Sequence, residues 1–241
     1  MKSLLLVLSL FAFSYANEAE DIIKKVDNNM RGESVYMKMT MIVKSLRHER
    51  TIKMKTWAKG KDKSFVKITY PPRDKGITFL SLGNEMWQYI PRIERTVKIP
   101  PSMMLQNWMG SDISNDDMVK QSSIVDDYDA KVIKKDGALV TIELIPHEDA
   151  AVVWGKIHSI IDTTHFTNVK DTFYDEDSYE IRTFTYANIK KFGNYYMPTL
   201  WTIQPSDKKN NITTLILEDV SYDDKISAQY FKKSALKRYS R

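Results

Sequence analysis

The feature that most constrains the fold of this chain is an alternation of apolar and polar side chains with a period of two. It is clearest in SVYMKMTMIVK, residues 34–44, where one face carries Val35, Met37, Met39, Met41 and Val43. Because successive side chains of a strand point to opposite faces of a sheet, this pattern predicts a half-buried strand. Similar segments, separated by turn signals, occur at 50–58, 64–70, 77–82, 85–90, 130–135, 138–145, 154–162, 166–174, 179–192, 197–205 and 212–222.

Helical patterns flank and interrupt these strands. Residues 18–31 predict an amphipathic helix whose apolar face carries Ile22, Ile23, Val26 and Met30. Between 91 and 121 the alternation is lost, and Ser114 with Asp117 forms a capping-box pattern that predicts the start of a short helix. We therefore expect a mainly β (α+β) domain. In it, about eleven antiparallel strands curl strongly and helices sit on the concave side of the sheet.

The first residues, MKSLLLVLSLFAFSYA, have the three parts of a secretory signal peptide, namely Lys2, an apolar run and small residues at Ser14 and Ala16. We expect residues 1–16 to be removed and residues 17–241 to form one domain. The sequence contains no cysteine, so it has no lipid-attachment residue and no disulfide framework. These features predict a soluble protein of a bacterial periplasm that is secreted across the inner membrane and is not lipid-anchored.

The formal net charge of +5 does not indicate a nucleic-acid partner. Lysines and arginines are interspersed with acidic residues and form no basic stripe with stacking aromatic side chains. The distribution favours a mixed, solvated surface. We therefore predict no nucleic-acid binding.

The sequence shows no complete set of catalytic or metal-binding residues. Its histidines lack zinc-ligand spacing, and no GxSxG, GxGxxG or P-loop segment is present. Asp112, Ser114, Asp116 and Asp117 offer oxygen ligands of the kind that a hard cation prefers, but acids that cap a helix N-terminus account for the same residues. We favour capping, and predict no enzyme, no cofactor and no metal. A hydrolase or lyase that uses His158 or Asp112 is the minor alternative.

The apolar residues are unusual because the chain has 12 methionines, several of them on strand faces where Val or Ile would pack more rigidly. Methionine is unbranched and polarizable, so a face built from it adapts to varied apolar ligands, whereas the alternative is an ordinary core that uses methionine. The candidate cavity and ligand-binding residues are Met37, Met39, Met41, Met54, Ile68, Leu80, Trp87, Tyr89, Met103, Met104, Trp108 and Met109. If the register of a strand is wrong by one residue, its candidate residues lie on the opposite face of the sheet.

The segment WQYIPRIERTVKIPPSMMLQNWMGSDISNDDM, residues 87–118, resembles the LolA-like outer-membrane lipoprotein-sorting proteins. The shared pattern is a strand ending in W-x-Y-x-P, an R-x-x-x-I segment and a G-S-D-x-S-x-x-D motif. Its positions here are Trp87, Tyr89, Pro91, Arg95, Ile99, Gly110, Ser111, Asp112, Ser114 and Asp117. The wider layout is similar as far as a terminal F-x-x-x-x-L element, Phe231 to Leu236, and the chain resembles a divergent branch of these periplasmic carriers.

The resemblance implies an incomplete β-barrel with helices across its mouth as a lid over an apolar cavity for acyl chains. In that picture MMLQNWMG is an apolar helical lid element, and no residue is catalytic. Members of the family receive lipoproteins from an inner-membrane exporter and pass them to an outer-membrane acceptor. We therefore expect an exporter, an acceptor, and lipoprotein acyl chains or another lipid as partners of a monomeric carrier. The alternative is an adaptor that docks on an envelope exporter without carrying cargo.

Overall fold

The computed structural model describes residues 18–120, 124–150 and 152–241, so the expected signal peptide, residues 1–16, lies outside the described residues. Within the described ranges the chain forms one antiparallel sheet of 13 strands. The strands are β1 Ser34–Lys44, β2 Glu49–Lys59, β3 Lys63–Tyr70, β4 Thr78–Leu82, β5 Glu85–Ile90, β6 Arg95–Lys98, β7 Tyr128–Asp136, β8 Leu139–Pro146, β9 Lys156–Asp162, β10 Thr167–Tyr174, β11 Glu180–Phe192, β12 Tyr195–Pro205 and β13 Ile212–Tyr222.

The strand order joins two meanders into one sheet. It runs β6-β5-β4-β3-β2-β1-β13-β12-β11-β10-β9-β8-β7, so the first and last strands pair at the centre. Their register places Met41 opposite Leu215 and shifts between Lys38 and Met39, where a bulge interrupts the ladder. The two ends of the order, β6 and β7, do not pair with each other, so the sheet is open rather than a closed barrel.

The sheet is strongly curved. Strands β2 and β9 stand six positions apart in the order, a separation on the order of 29 Å in a flat sheet at about 4.8 Å per strand. Nevertheless Met54 of β2 and Ile157 of β9 line the same cavity. The predicted fold class, a curled antiparallel sheet with helices on its concave side, is therefore confirmed.

Three short helical elements lie against the concave face. Helix α1 spans residues 18–31, helix α2 Asn115–Lys120 and helix α3 Ile124–Asp127. The predicted apolar face of α1 is confirmed, because Ile22, Ile23 and Val26 are buried against strands of the second meander. None of the helices in the described part of the chain is long and apolar enough to cross a membrane.

The outer face of the first meander carries the C-terminal elements. A 3₁₀ turn, Ala228–Phe231, and helix α4, Lys233–Arg238, pack there. Phe231 and Leu236 of the F-x-x-x-x-L element are both buried, and the carbonyl of Leu236 accepts a hydrogen bond of 2.8 Å from the Thr78 hydroxyl. Strands β3 to β5 are therefore covered on both faces.

The structure differs from the sequence-based expectation between β5 and α2. The chain forms an additional strand there, β6, in which all four residues are exposed. The prediction that MMLQNWMG is helical is wrong. Its ends lie in two 3₁₀ turns, Pro101–Met103 and Trp108–Gly110, and an α-helix cannot continue through the left-handed backbone of Met109, whose φ is 51°.

Candidate functional site

A cavity of about 260 Å³ lies between the concave face of the sheet and helices α1 to α3. Its walls are mostly apolar side chains from both meanders, including Val35 and Met39 on one side and Leu144 and Phe173 on the other. The exposed turn between β2 and β3, residues 60–62, also contributes to the lining, so the cavity reaches the surface beside the C-terminal end of α1. This is a mostly apolar space that is partly open to the surface.

Four of the candidate ligand-binding residues line this cavity, namely Met37, Met39, Met54 and Trp108. Met41 and Ile68 are fully buried in the same core, below the cavity surface. Met104 and Met109 are half-buried against that core, whereas Met103 is 38% exposed. The methionine-rich face therefore belongs partly to the cavity wall and partly to ordinary core packing.

Leu80, Trp87 and Tyr89 lie on the opposite face of the sheet. They pack with Phe231 and Leu236 under helix α4 rather than at the cavity. Their neighbours Phe79 and Met86 occupy the concave side instead. The expected register of β4 and β5 is therefore wrong by one residue. Both faces of these strands are apolar and covered, so the sequence pattern did not show which face points to the cavity.

The residues of the resemblance motif include some at the edge of the sheet and others in the loop that packs Trp108 against the core. Pro91 begins a 3₁₀ turn and Arg95 is exposed on the edge strand β6. Gly110, with φ of +72°, turns the chain into Ser111, whose buried hydroxyl donates 2.8 Å to the Trp108 carbonyl and accepts from the Ile113 amide. These contacts fix the loop that holds Trp108 against the core.

The predicted capping box at the start of α2 is confirmed. The Asp117 carboxylate accepts from the Ser114 amide at 2.7 Å, and the Ser114 hydroxyl accepts from the Asp117 amide at 3.1 Å. Asp112 is tied to the sheet instead, since its carboxylate accepts 2.6 Å from the Thr213 hydroxyl of β13. Both aspartates thus organise the backbone over the cavity.

An arginine that the sequence reading missed joins this segment to the second meander. Arg182 of β11 is 5% exposed and donates two hydrogen bonds to the Asp117 carboxylate, at 2.7 and 2.5 Å. Its guanidinium lies 4.4 Å from the centre of the Trp154 ring and 4.8 Å from that of Phe173. A bidentate, aromatic-stacked arginine is strongly held, so it locks α2 onto the far wall of the cavity.

A second polar group lies within the far wall itself. The buried Asp171 carboxylate accepts hydrogen bonds from Ser159 at 2.6 Å, Tyr186 at 2.7 Å and Asn168 at 2.9 Å. Burial raises the pKa of Asp171, while these donors oppose the shift by stabilising its charged form. Each polar group of this cluster is therefore satisfied by another member of it.

The histidines do not converge on the cavity. His158 of β9 contacts Glu143 at 3.0 Å on the face opposite to the lining residues Ile157 and Ser159. Asp112, the other residue of the hydrolase alternative, is engaged by Thr213. Among the described residues, no group of three or more histidines and acids is placed to hold a metal ion.

Comparison with known proteins identifies the family. A family model described as "Uncharacterized protein" matches residues 60–238, well over half of the chain. The chain belongs to this family. No curated protein matches the sequence significantly.

Solved structures show which fold this chain has. The chain is similar to a DUF1329 family protein from Desulfovibrio piger, with 20% identity and a TM-score of 0.85 over 92% of this chain and 99% of that one. It is similar to a domain from Vibrio parahaemolyticus that is named for outer-membrane lipoprotein sorting, with 21% identity and a TM-score of 0.81 over 92% of this chain and 100% of that one. It is also similar to a LolA superfamily protein from Nitrosomonas europaea, with 19% identity and a TM-score of 0.76 over 90% of this chain and 98% of that one. The chain therefore has the LolA-like fold, and the resemblance drawn from residues 87–118 is confirmed at that level.

Proposed function

We propose that this protein is a non-catalytic periplasmic carrier that binds acyl chains of lipoproteins or lipids in the cavity and moves them toward the outer membrane. The observation that carries the proposal is the apolar space between the concave sheet and helices α1 to α3. The LolA-like fold and the lipoprotein-sorting name of one structural relative support it. An inner-membrane exporter would load the carrier and an outer-membrane acceptor would unload it.

The size of the cavity fits part of an acyl chain. At about 30 Å³ for each small group, a volume of 260 Å³ holds on the order of nine methylenes. At about 0.8 kcal/mol for each buried methylene, that contact supplies roughly 7 kcal/mol before entropy costs. Whole acyl chains therefore require the cavity to expand.

The contacts of α2 indicate where expansion begins. Helix α2 contributes Asp116, Asp117, Met118 and Val119 to the lining, and the pair formed by Asp117 and Arg182 is a polar tie from this helix to the far wall. Separating this pair would lift α2 from the second meander while the sheet keeps its ladder. Loading then exchanges one buried ion pair for contacts between cargo and lining.

A substitution that fills the cavity tests the proposal. Ala58 of β2 is half-buried, lines the cavity and pairs with Val35 of β1. The larger side chain in Ala58→Phe occupies the space that an acyl chain needs. We expect the affinity for a triacylated lipopeptide, measured by fluorescence titration, to fall at least about tenfold, which corresponds to roughly 1.4 kcal/mol.

Ala187→Phe is the matched control, because Ala187 lies in a strand of the same sheet but is exposed and does not line the cavity. It should bind the lipopeptide like the unsubstituted protein, and the same peptide without acyl chains should bind to none of them. Equal lipopeptide affinity of Ala58→Phe and Ala187→Phe, with both variants folded by circular dichroism, would contradict the proposal. Failure of all proteins to bind would favour an adaptor that carries no cargo.

A further inference from the structure

The near wall of the cavity contains two polar atoms that no described residue satisfies. They are the Thr56 hydroxyl and the indole nitrogen of Trp108, and both are buried without a hydrogen-bond partner among the described residues. Thr56 is 6% exposed and Trp108 is 1% exposed, and both residues line the cavity. Since a buried unpaired donor costs free energy, these two atoms indicate what the cavity receives.

Other polar side chains of the cavity show the opposite behaviour. The indole nitrogen of Trp201 donates to the Pro198 carbonyl at 2.7 Å. The hydroxyls of Ser159 and Tyr186 donate to Asp171 on the far wall. Among the described residues that line the cavity, the unpaired buried side-chain atoms are those of Thr56 and Trp108, two positions where valine and phenylalanine would lose no hydrogen bond.

The two unpaired atoms are linked by a row of side chains that crosses the sheet from Thr56 to Phe79 and continues to Trp108 in its 3₁₀ turn. Thr56 pairs with Val66, and Val66 pairs with Phe79 on the next strand. The Phe79 ring lies 5.2 Å from the indole of Trp108. Thr56 and the strand under Trp108 are two strand spacings apart, roughly 10 Å, so one extended ligand can reach both.

The charges around the cavity exclude an anionic partner for these donors. Five aspartates and three basic residues contribute to the lining, namely Asp27, Asp62, Asp116, Asp117, Asp171, Arg31, Lys61 and Lys63. Arg31 is paired with Asp27 at 2.6 Å, and Lys61 with Asp126 at 2.9 Å. A free carboxylate would meet acids and no uncommitted buried cation, so the fitting acceptor is a neutral carbonyl.

We propose that Thr56 and Trp108 form a carbonyl-binding subsite, and that the cargo enters with the ester or amide carbonyl of its acyl chains inside the cavity. This inference rests on the proposed function and deepens it. A pure hydrocarbon would leave both donors unpaired, whereas the carbonyl oxygens of a molecule with two acyl esters or amides accept from them, one carbonyl for each donor, and place the chains along the apolar lining. The subsite thus selects acylated molecules over other apolar ones of the same size.

Probes that differ only in the carbonyl test the subsite. Dioctanoylglycerol carries two esters, and the corresponding dioctyl ether has the same chains without carbonyl oxygens. Affinities are measured by displacement of diphenylhexatriene, a hydrocarbon probe that forms no hydrogen bond. We expect the ester to bind about five- to tenfold more tightly than the ether for each hydrogen bond gained, and N-octyloctanamide shows whether an amide carbonyl is accepted as well.

Thr56→Val is the decisive variant because it removes the hydroxyl with little change in shape. We expect it to reduce the preference for the ester by about five- to tenfold and to leave ether affinity unchanged. Its thermal midpoint should equal or exceed that of the unsubstituted protein, because an unsatisfied buried hydroxyl is replaced by a methyl group. A residue with a purely structural role would not combine these effects. Trp108→Phe should reduce the preference in the same way.

Thr185→Val provides the matched control, since Thr185 is exposed in β11, and it should keep the full ester preference. Equal affinities of the unsubstituted protein for ester and ether would overturn the subsite while leaving a hydrocarbon-binding carrier intact. An ester preference that is undiminished in both Thr56→Val and Trp108→Phe would also overturn it. Absence of binding to diphenylhexatriene, ester and ether alike would instead overturn the proposed function.

Discussion

The ion pair between Arg182 and Asp117 joins helix α2 to strand β11 at the wall of the cavity. The Arg182 side chain is 6% exposed and that of Asp117 is 17% exposed. Pairing of two such groups offsets their desolvation only while both are present. The pair is therefore sensitive to the loss of either partner.

Asp117→Asn is predicted to lower the free energy of unfolding by about 3–5 kcal/mol, because it leaves the buried guanidinium without its counter-charge. Asparagine can still accept the capping hydrogen bond from the Ser114 amide, so the effect reports the ion pair. Urea unfolding measures the loss. As a control, Asp126→Asn removes the exposed pair with Lys61 and should cost less than about 1 kcal/mol.

The double variant Asp117→Asn, Arg182→Met is predicted to be more stable than Asp117→Asn alone. Methionine keeps apolar contact with the aromatic rings around Arg182 and removes the uncompensated charge. A double variant that is as unstable as the single one would show that lost packing, rather than the buried charge, determines the effect.

Asp171 gives the molecule a specific pH dependence. Burial raises its pKa, so the folded protein binds a proton at this site more readily than the unfolded chain. Its ionised form therefore disfavours folding at neutral pH, and this penalty disappears as the pH falls through the folded-state pKa. We predict that the unfolding free energy of the unsubstituted protein, relative to that of Asp171→Asn, increases as the pH is lowered from about 7 to about 4. A relative stability that stays constant or falls over this range would contradict the prediction.

Residues such as Arg182 could have been noticed in the sequence but not assigned. Arg182, Phe184 and Tyr186 alternate on one face of a predicted strand, and an arginine on an apolar face signals a buried partner. Its partner, Asp117, is 65 residues away. Periodicity identifies the face of a residue, but a contact over such a separation depends on how the two meanders fold together.

At the scale of elements, helix α4 determines which side of β4 and β5 faces the cavity. Alternation predicted the extents of β3, β5 and β13 to within one residue, because each has a regular pattern between turn signals. It did not predict the face of Leu80 or Trp87, because α4 covers the outer surface and makes both faces apolar. Strand β6 was missed for the opposite reason, since it has no buried residue.

Leu236 tests the contribution of α4. It is fully buried among the outer-face side chains, so Leu236→Ala is predicted to lower the free energy of unfolding by about 2–5 kcal/mol. Leu105→Ala, at a position 61% exposed, should change it by less than about 0.5 kcal/mol. Similar effects of both variants in urea unfolding would show that α4 does not stabilise the sheet.

For the whole molecule, the open sheet supports the proposed expansion of the cavity. Strands β6 and β7 remain unpaired with each other, so the curvature of the sheet is not fixed by closure. The walls of the cavity come from both meanders, and the Arg182 pair is a polar tie from α2 to the far wall. The LolA-like fold thus combines an open sheet with a short helix, α2, that this pair joins to the far wall.

The central claim, that the cavity carries acyl chains, is tested most directly by native mass spectrometry of the protein purified from its own cells without detergent. We predict a population heavier than the processed polypeptide, whose extra mass dissociates as acylated molecules and is reduced in Ala58→Phe but not in Ala187→Phe. A folded protein that always has the mass of the bare polypeptide, and that gains no mass when mixed with triacylated lipopeptide, would contradict the claim.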